Sequence, residues 1–174
     1  MAPDAIVVSD EAAHRTRFLA FMRRVPAPVA IIACASEHGS SGLAATSWCS
    51  LTADPPMMLA CVNRSASAHD LILAAGAFSI NVLPEHEDEV CAVFSGQRGL
   101  EGADRFLPGL WRPGQLGQPL LTTAIAAFEC RLVGQHGYST HTLLTGAVVA
   151  MAPGADGQAL LYLEGAYARA HHRG

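Results

Sequence analysis

The sequence predicts a mainly β chain with a few short helices, its strands mostly antiparallel and rolled into one small closed or split barrel. Three observations carry that reading. About six apolar or alternating runs of strand length are separated by clusters of Gly, Pro, Asn, Asp and Ser. One of them places Phe128, Cys130 and Leu132 against Glu129 and Arg131, the alternation of an antiparallel strand with one face open. The length, 174 residues, suits a single domain with a sizeable core and leaves a second domain cramped.

The elements follow in order. Residues 1–8 are expected to be a loose lead. Ser9 or Asp10 then caps a helix reaching about Arg24, with Asp10 and Glu11 at its positive end and Arg23 and Arg24 at its negative end. Phe18, Phe21, Met22 and Val25 recur at helical spacing and predict one buried face. Pro26-Ala27-Pro28 stops the helix, residues 29–35 read as a strand, and Glu37-His38-Gly39-Ser40 turns it into a hairpin. The next strand carries Thr46, Ser47, Ser50 and Thr52, until Asp54-Pro55-Pro56 forces a turn that neither a helix nor a central strand can continue. Residues 57–62 are apolar without interruption, as expected of a strand covered on both faces.

A helix over 66–75, closed by Gly76, comes next, and a strand over 77–83 follows it. Pro84 suits the start of a second helix near 85–94, whose Glu85, Glu87, Asp88 and Glu89 form a solvated, acidic first half. Residues 95–118 are rich in Gly and Pro and read as a long surface loop, a lid or a subunit contact, anchored by the packing of Arg105, Phe106 and Trp111. Strands at 122–133, 141–150 and 159–164, with turns at 134–139 and 153–157, lead to a tail at 168–174.

Composition narrows the function classes. With 51% of residues hydrophobic and 15% charged, more apolar surface is expected than a monomer covers, which predicts a homodimer. Eleven basic against fifteen acidic residues, without a basic block, argue against nucleic acid as a partner. The five cysteines, Cys34, Cys49, Cys61, Cys91 and Cys130, are odd in number and widely spaced, as expected of reduced thiols in a cytoplasm. Eight histidines raise the question of a metal, but none of the common ligand spacings occurs. Neither a leader nor an apolar run of bilayer length is seen, so a soluble cytoplasmic protein without a membrane partner is expected.

The chemistry gathers at the exit of the apolar strand. Asn63, Arg64, Ser65 and Ser67 arrive just as the helix begins, so hydroxyls, a guanidinium, backbone N–H groups and a positive dipole end converge. Singly, each serine is an ordinary N-cap and Arg64 an ordinary solvated charge. Their convergence, preceded by a strand bearing four hydroxyls, predicts a seat for a flat, phosphorylated cofactor. No Ser-His-Asp order, nucleophile elbow or paired carboxylates can be argued, so no catalytic acid, base or nucleophile is assigned. Without a G-x-G-x-x-G, a nicotinamide donor would not be held by a Rossmann turn.

Gly42, Thr46, Ser47, Ser50, Leu51, Thr52, Asp54, Pro55, Pro56 and the run on to Ser67 carry a family resemblance. It continues through 78–83, Phe94, 117–120, 128–130 and 141–148. The chain resembles the short-chain flavin reductases, FMN-binding split-barrel proteins that supply reduced flavin to two-component monooxygenases. The resemblance implies an FMN-binding split β-barrel and an NAD(P)H-dependent flavin reductase, in which hydride passes from NADH or NADPH to FMN or FAD and a separate monooxygenase is the partner. It implies that Thr46, Ser47, Trp48, Ser50 and Phe94 line the ring and ribityl chain, and that Asn63, Arg64, Ser65 and Ser67 receive the phosphate. It further implies that His141 and Tyr167 face the nicotinamide. Two departures stand out: Ala44 replaces a frequent threonine, and Ser139-Thr140 replaces the Gly-Asp that usually precedes the histidine. A flavin carrier without reductase turnover and a related split-barrel FMN oxidase remain alternatives.

Overall fold

A two-residue link between the edges of the largest sheet decides the shape of this fold. The computed structural model describes residues 10–170. The lead expected at 1–8, a Ser9 cap and His171-His172 lie outside them.

In chain order the elements are α1 (Glu11–Met22), β1 (Ala27–Pro28), β2 (Ala30–Ser36), β3 (Gly39–Ala45), β4 (Trp48–Ala53), β5 (Pro56–Asn63), α2 (Ala68–Ala75) and β6 (Ala77–Val82). They continue with α3 (Asp88–Phe94), a short 3-10 turn (Gly102–Arg105), β7 (Trp111–Pro113), β8 (Pro119–Leu121), β9 (Ala126–Tyr138), β10 (His141–Pro153), β11 (Leu160–Leu163) and β12 (Ala166–Arg169). Among the described residues twelve strands stand where about six were expected, several of them only two to four residues long.

Seven strands form one antiparallel sheet in the order β3-β2-β6-β9-β10-β5-β4. Its two edges, β3 and β4, are consecutive in the chain and joined only by Thr46 and Ser47, which holds Ala45 and Trp48 within about 11 Å of each other. The sheet must curl until its edges nearly meet. The result is a split barrel. Helix α2 closes on Gly76 in the left-handed conformation and fills the barrel, its Ala68 and Ile72 packing with Ile32, Val62, Phe78, Ile80 and Leu144. A second core lies on the other face of β2 and β6, where Ile31, Ala33 and Leu83 meet Val90, Val93 and Phe94 of α3.

The two-sided cover expected of residues 57–62 belongs instead to β2 and β6, the latter buried at all six positions. In β5 only Met58, Ala60 and Val62 are buried, while Met57, Leu59 and Cys61 stay partly exposed, because alternate residues face the barrel core and the other face of β5 carries no such cover among the described residues. Helix α1 starts as expected, Asp10 Oδ1 accepting from the Ala12 N–H at 2.9 Å. Its expected buried face is not buried: Phe18 and Phe21 are 57% and 59% exposed, and Met22 and Val25 are exposed as well. Helical spacing marks an apolar stripe without saying what covers it.

Three further expectations shift. Pro84 bridges Ala159, so α3 begins only at Asp88. The turn expected at 134–139 is strand up to Tyr138, leaving Ser139 and Thr140 as the turn, with Ser139 at φ 45°. Residues 168–169, read as tail, complete β12 against Leu160 and Leu161.

Glu129 is the clearest correction. Expected on an open face, it is fully buried, because residues 114–118 fold over it and their Leu116 and Gln118 N–H groups donate to its Oε1 at 2.8 and 2.9 Å. Gly114 makes this closeness possible, since a Cβ there would stand 2.5 Å from the carboxyl atoms. Around it Asn81 donates to the Ile31 and Pro119 carbonyls and accepts from the Leu121 N–H, so a buried polar network pins the end of the long loop to the barrel. Glu129→Ala, which orphans two N–H groups, is expected to cost about 2–4 kcal/mol in urea unfolding, and Glu129→Gln, which keeps an acceptor, clearly less. Equal losses would show that the hydrogen bonds do not matter.

Candidate functional site

Residues 95–118 lie across β3, and a groove opens along the seam. Three rings hold the crossing: Phe94 to Phe106 at 5.2 Å, Phe94 to Trp111 at 5.3 Å, and Phe106 to Trp111 at 5.1 Å between centroids. Arg105 fastens it, donating from Nη1 to the Gly42 carbonyl at 2.9 Å and from Nε to the Leu100 carbonyl at 2.8 Å. Gly42 is needed for this approach. A Cβ there would stand 2.8 Å from Phe94 Cε1 and 3.0 Å from the Ile32 carbonyl.

The groove has two parts. One, of about 440 Å³, is lined by Gly42, Leu43, Ser65, Ser67, Phe94 and Arg105. The other, of about 260 Å³, is lined by Ala44, Thr46, Cys91, Ser95, Tyr162 and Tyr167. Ser95 borders both, so the two hollows meet at that residue.

Local bonding sets what each end offers. Asn63 Oδ1 accepts from both the backbone and the hydroxyl of Ser65 at 3.0 Å, an Asx-type turn that fixes Ser65 at the strand exit. Ser67 stands at the N-cap position of α2 without capping it; its hydroxyl meets that of Ser41 at 2.9 Å and borders the hollow. At the other end the Cys91 thiol donates to the Tyr167 hydroxyl at 3.1 Å, and Tyr162 meets Tyr167 edge to face at 6.0 Å. Burial pushes the Tyr167 phenol above its ordinary range, and the Cys91 contact pushes it in the same direction. Two hydroxyls beside a guanidinium fit a phosphate, and a strand of small residues facing two tyrosines fits a flat ring.

Thr46, Ser65, Ser67, Phe94 and Tyr167 are thus brought together, with Asn63 behind Ser65. The other expected residues lie elsewhere. Ser47 accepts from the Cys61 N–H through its carbonyl, and Trp48 donates from Nε1 to the Pro28 carbonyl at 3.1 Å while packing on the barrel core. Ser50 borders a separate, largely apolar hollow with Met57, Phe128 and Met151. Arg64 extends over Gly137 into another hollow, and His141 is exposed at the start of β10, its Nδ1 2.9 Å from the Thr140 hydroxyl. Arg105, Ser95 and Tyr162 were not foreseen as site residues. The unusual length of the loop at 95–118 was the signal that could have pointed to the first two.

The flavin reductase like domain model matches residues 22–171. The chain belongs to that family. It is 36% identical over 163 residues to an FMN reductase (NADH) RutF of Methylorubrum extorquens, covering 94% of this chain and 77% of that relative. It is 36% identical over 146 residues to the FMN reductase (NADH) RutF of Agrobacterium fabrum, covering 84% and 83%. Among solved structures, a homologue of nitrilotriacetate monooxygenase component B from Mycobacterium thermoresistibile superposes with a TM-score of 0.83 at 28% identity, over 93% of this chain and 89% of that one.

In this flavin reductase family member the groove depends on the close pass of Phe94 over Gly42. Gly42→Val is expected to push the ring aside and lower stability by about 1–3 kcal/mol, read as a shift in the urea midpoint. An unchanged midpoint would mean that the contact is soft.

Proposed function

We propose that the chain, read as one flavin reductase-like domain over 1–174, is an NADH-dependent flavin reductase whose flavin lies in the groove along β3. The observation that carries this is the placement of Ser65, Ser67 and Arg105 on one hollow and Thr46 and Tyr167 on a second that shares Ser95 with it, in a chain of this family. The family supplies the activity, and the relatives' names supply FMN and NADH.

The Ser67 hydroxyl, accepting from Ser41, would donate to the phosphate, and Ser65 would do so only by releasing Asn63. Arg105 would place a cation beside that phosphate while its Nε and Nη1 are held by backbone carbonyls. Thr46 offers a hydroxyl to the ring edge, and Phe94 walls the groove. Tyr167 and Tyr162 bound the end at which a nicotinamide would arrive. When bound, the flavin supplies the redox centre that accepts hydride. The protein's share is to bind, orient and exclude water.

The wider setting follows the same reading. Reduced flavin is passed to a separate monooxygenase component. A second copy of the chain covers the exposed stripe of α1 and the apolar outer face around Leu51 and Met151, giving a homodimer. Among the described residues no helix is long and apolar enough to cross a membrane, and all five cysteines are free. Burial pushes the thiols of Cys34 and Cys130 up to about 12, so both stay protonated, and a reducing, cytoplasmic location suits all five.

Purified protein with FMN and NADH is expected to oxidise NADH well above the rate of free flavin; FMN that binds but is never reduced would favour a carrier. Arg105→Ala and Ser67→Ala are expected to weaken FMN roughly 10-fold or more and riboflavin, which lacks the phosphate, much less. Equal losses for the two flavins would place the phosphate elsewhere.

A further inference from the structure

Arg64 and its surroundings stand apart from the flavin groove. The hollow that Arg64 enters, of about 490 Å³, is lined by His69, Leu73, Gln135, Gly137 and Thr142 at the mouth of the barrel. It lies across the loop 64–67 from Ser65 and Ser67, so one short stretch of chain walls both hollows. The Arg64 guanidinium has no carboxylate or hydrogen-bond partner among the described residues. It crosses the face of Gly137, where any Cβ would collide with Nη2, so β9 carries a glycine at the point the cation needs.

The rest of the hollow is built rather than incidental. His69 is buried, with Nδ1 2.6 Å from Asp70 Oδ1 and Nε2 2.9 Å from the buried Thr142 hydroxyl, so its ring is held from both sides. Asp70 turns its carboxylate to solvent and is tied to His69, which leaves Arg64 as the charge that faces the cavity. Leu73 supplies an apolar wall, and the Gln135 amide can both donate and accept. An unpaired guanidinium, an amide and an apolar wall in a cavity of this size match a phosphate borne on a purine nucleoside.

We propose that this hollow is a subsite for the adenosine diphosphate moiety that FAD and NADH have in common, with Arg64 on its phosphates and Leu73 and Gln135 beside the purine. The proposal rests on the flavin reductase reading, since that reading brings such dinucleotides to the neighbouring groove. It assigns Arg64 to a different phosphate from the one at Ser65, Ser67 and Arg105.

The test is calorimetric titration of the full-length protein with ADP, with FAD against FMN, and a comparison of KM for NADH with that for reduced nicotinamide mononucleotide, which lacks the adenosine. ADP is expected to bind, and Arg64→Ala to weaken ADP and at least one dinucleotide about tenfold while FMN and the mononucleotide change less than twofold. Gly137→Ala, which crowds the guanidinium without removing it, is expected to act in the same direction, and circular dichroism checks that both variants fold. A selective loss for FAD assigns the subsite to the flavin, and one for NADH to the donor; either supports the proposal. Failure of ADP to bind the wild type, or a loss of FMN as large as that of FAD, would overturn it. The ADP titration needs no turnover, so an inactive wild type would count against the reductase reading and leave this result separately readable.

Discussion

The crossing of residues 95–118 over β3 is the constraint on which the site depends. A sheet edge alone offers unpaired backbone and no concavity. The Arg105 guanidinium on the Gly42 carbonyl and the packed rings of Phe94, Phe106 and Trp111 turn that edge into one wall of a groove. The far end of the same segment is pinned by Glu129, whose buried carboxyl holds Leu116 and Gln118. A loop of this length would otherwise carry the entropy of a mobile surface segment. Anchored at both ends, it behaves as part of the scaffold.

The barrel explains why the polar residues separate as they do. The two-residue corner at Thr46 and Ser47 sends β3 and β4 to opposite edges of one curled sheet. Thr46 belongs to the β3 groove, whereas Ser50, four residues later, belongs to a hollow with Met57 and Met151. The loop at 64–67 divides the chemistry again, with Ser65 and Ser67 on one side and Arg64 on the other. Residues adjacent in sequence thus serve different cavities.

Local signals were legible where local physics decides the outcome. The Asp10 cap, the hairpin turned at Glu37-His38, the Pro55 turn and the Gly76 terminus each follow from the backbone preferences of one or two residues. The placement of Ser65 and Ser67 on a hollow was legible from the polar groups converging at the strand exit, and that of Phe94 through the resemblance. Arg105 was legible as an anchor of the long loop but not as part of the groove, because its acceptor is a carbonyl 63 residues away. Glu129 misled for a related reason: alternation says which side a residue faces, but a distant loop decides whether that side is open. The stripe on α1 and the outer face of β5 read as core by composition and spacing, yet the chain itself leaves both at least partly exposed.

The most direct test is a crystal structure of the protein with FMN bound. The phosphate should lie within hydrogen-bonding distance of Ser65, Ser67 and Arg105, with the ring along Ala44 to Thr46 facing Tyr167. A flavin seated instead in the hollow bordered by Ser50, Met57, Phe128 and Met151, with the β3 groove empty, would contradict the account.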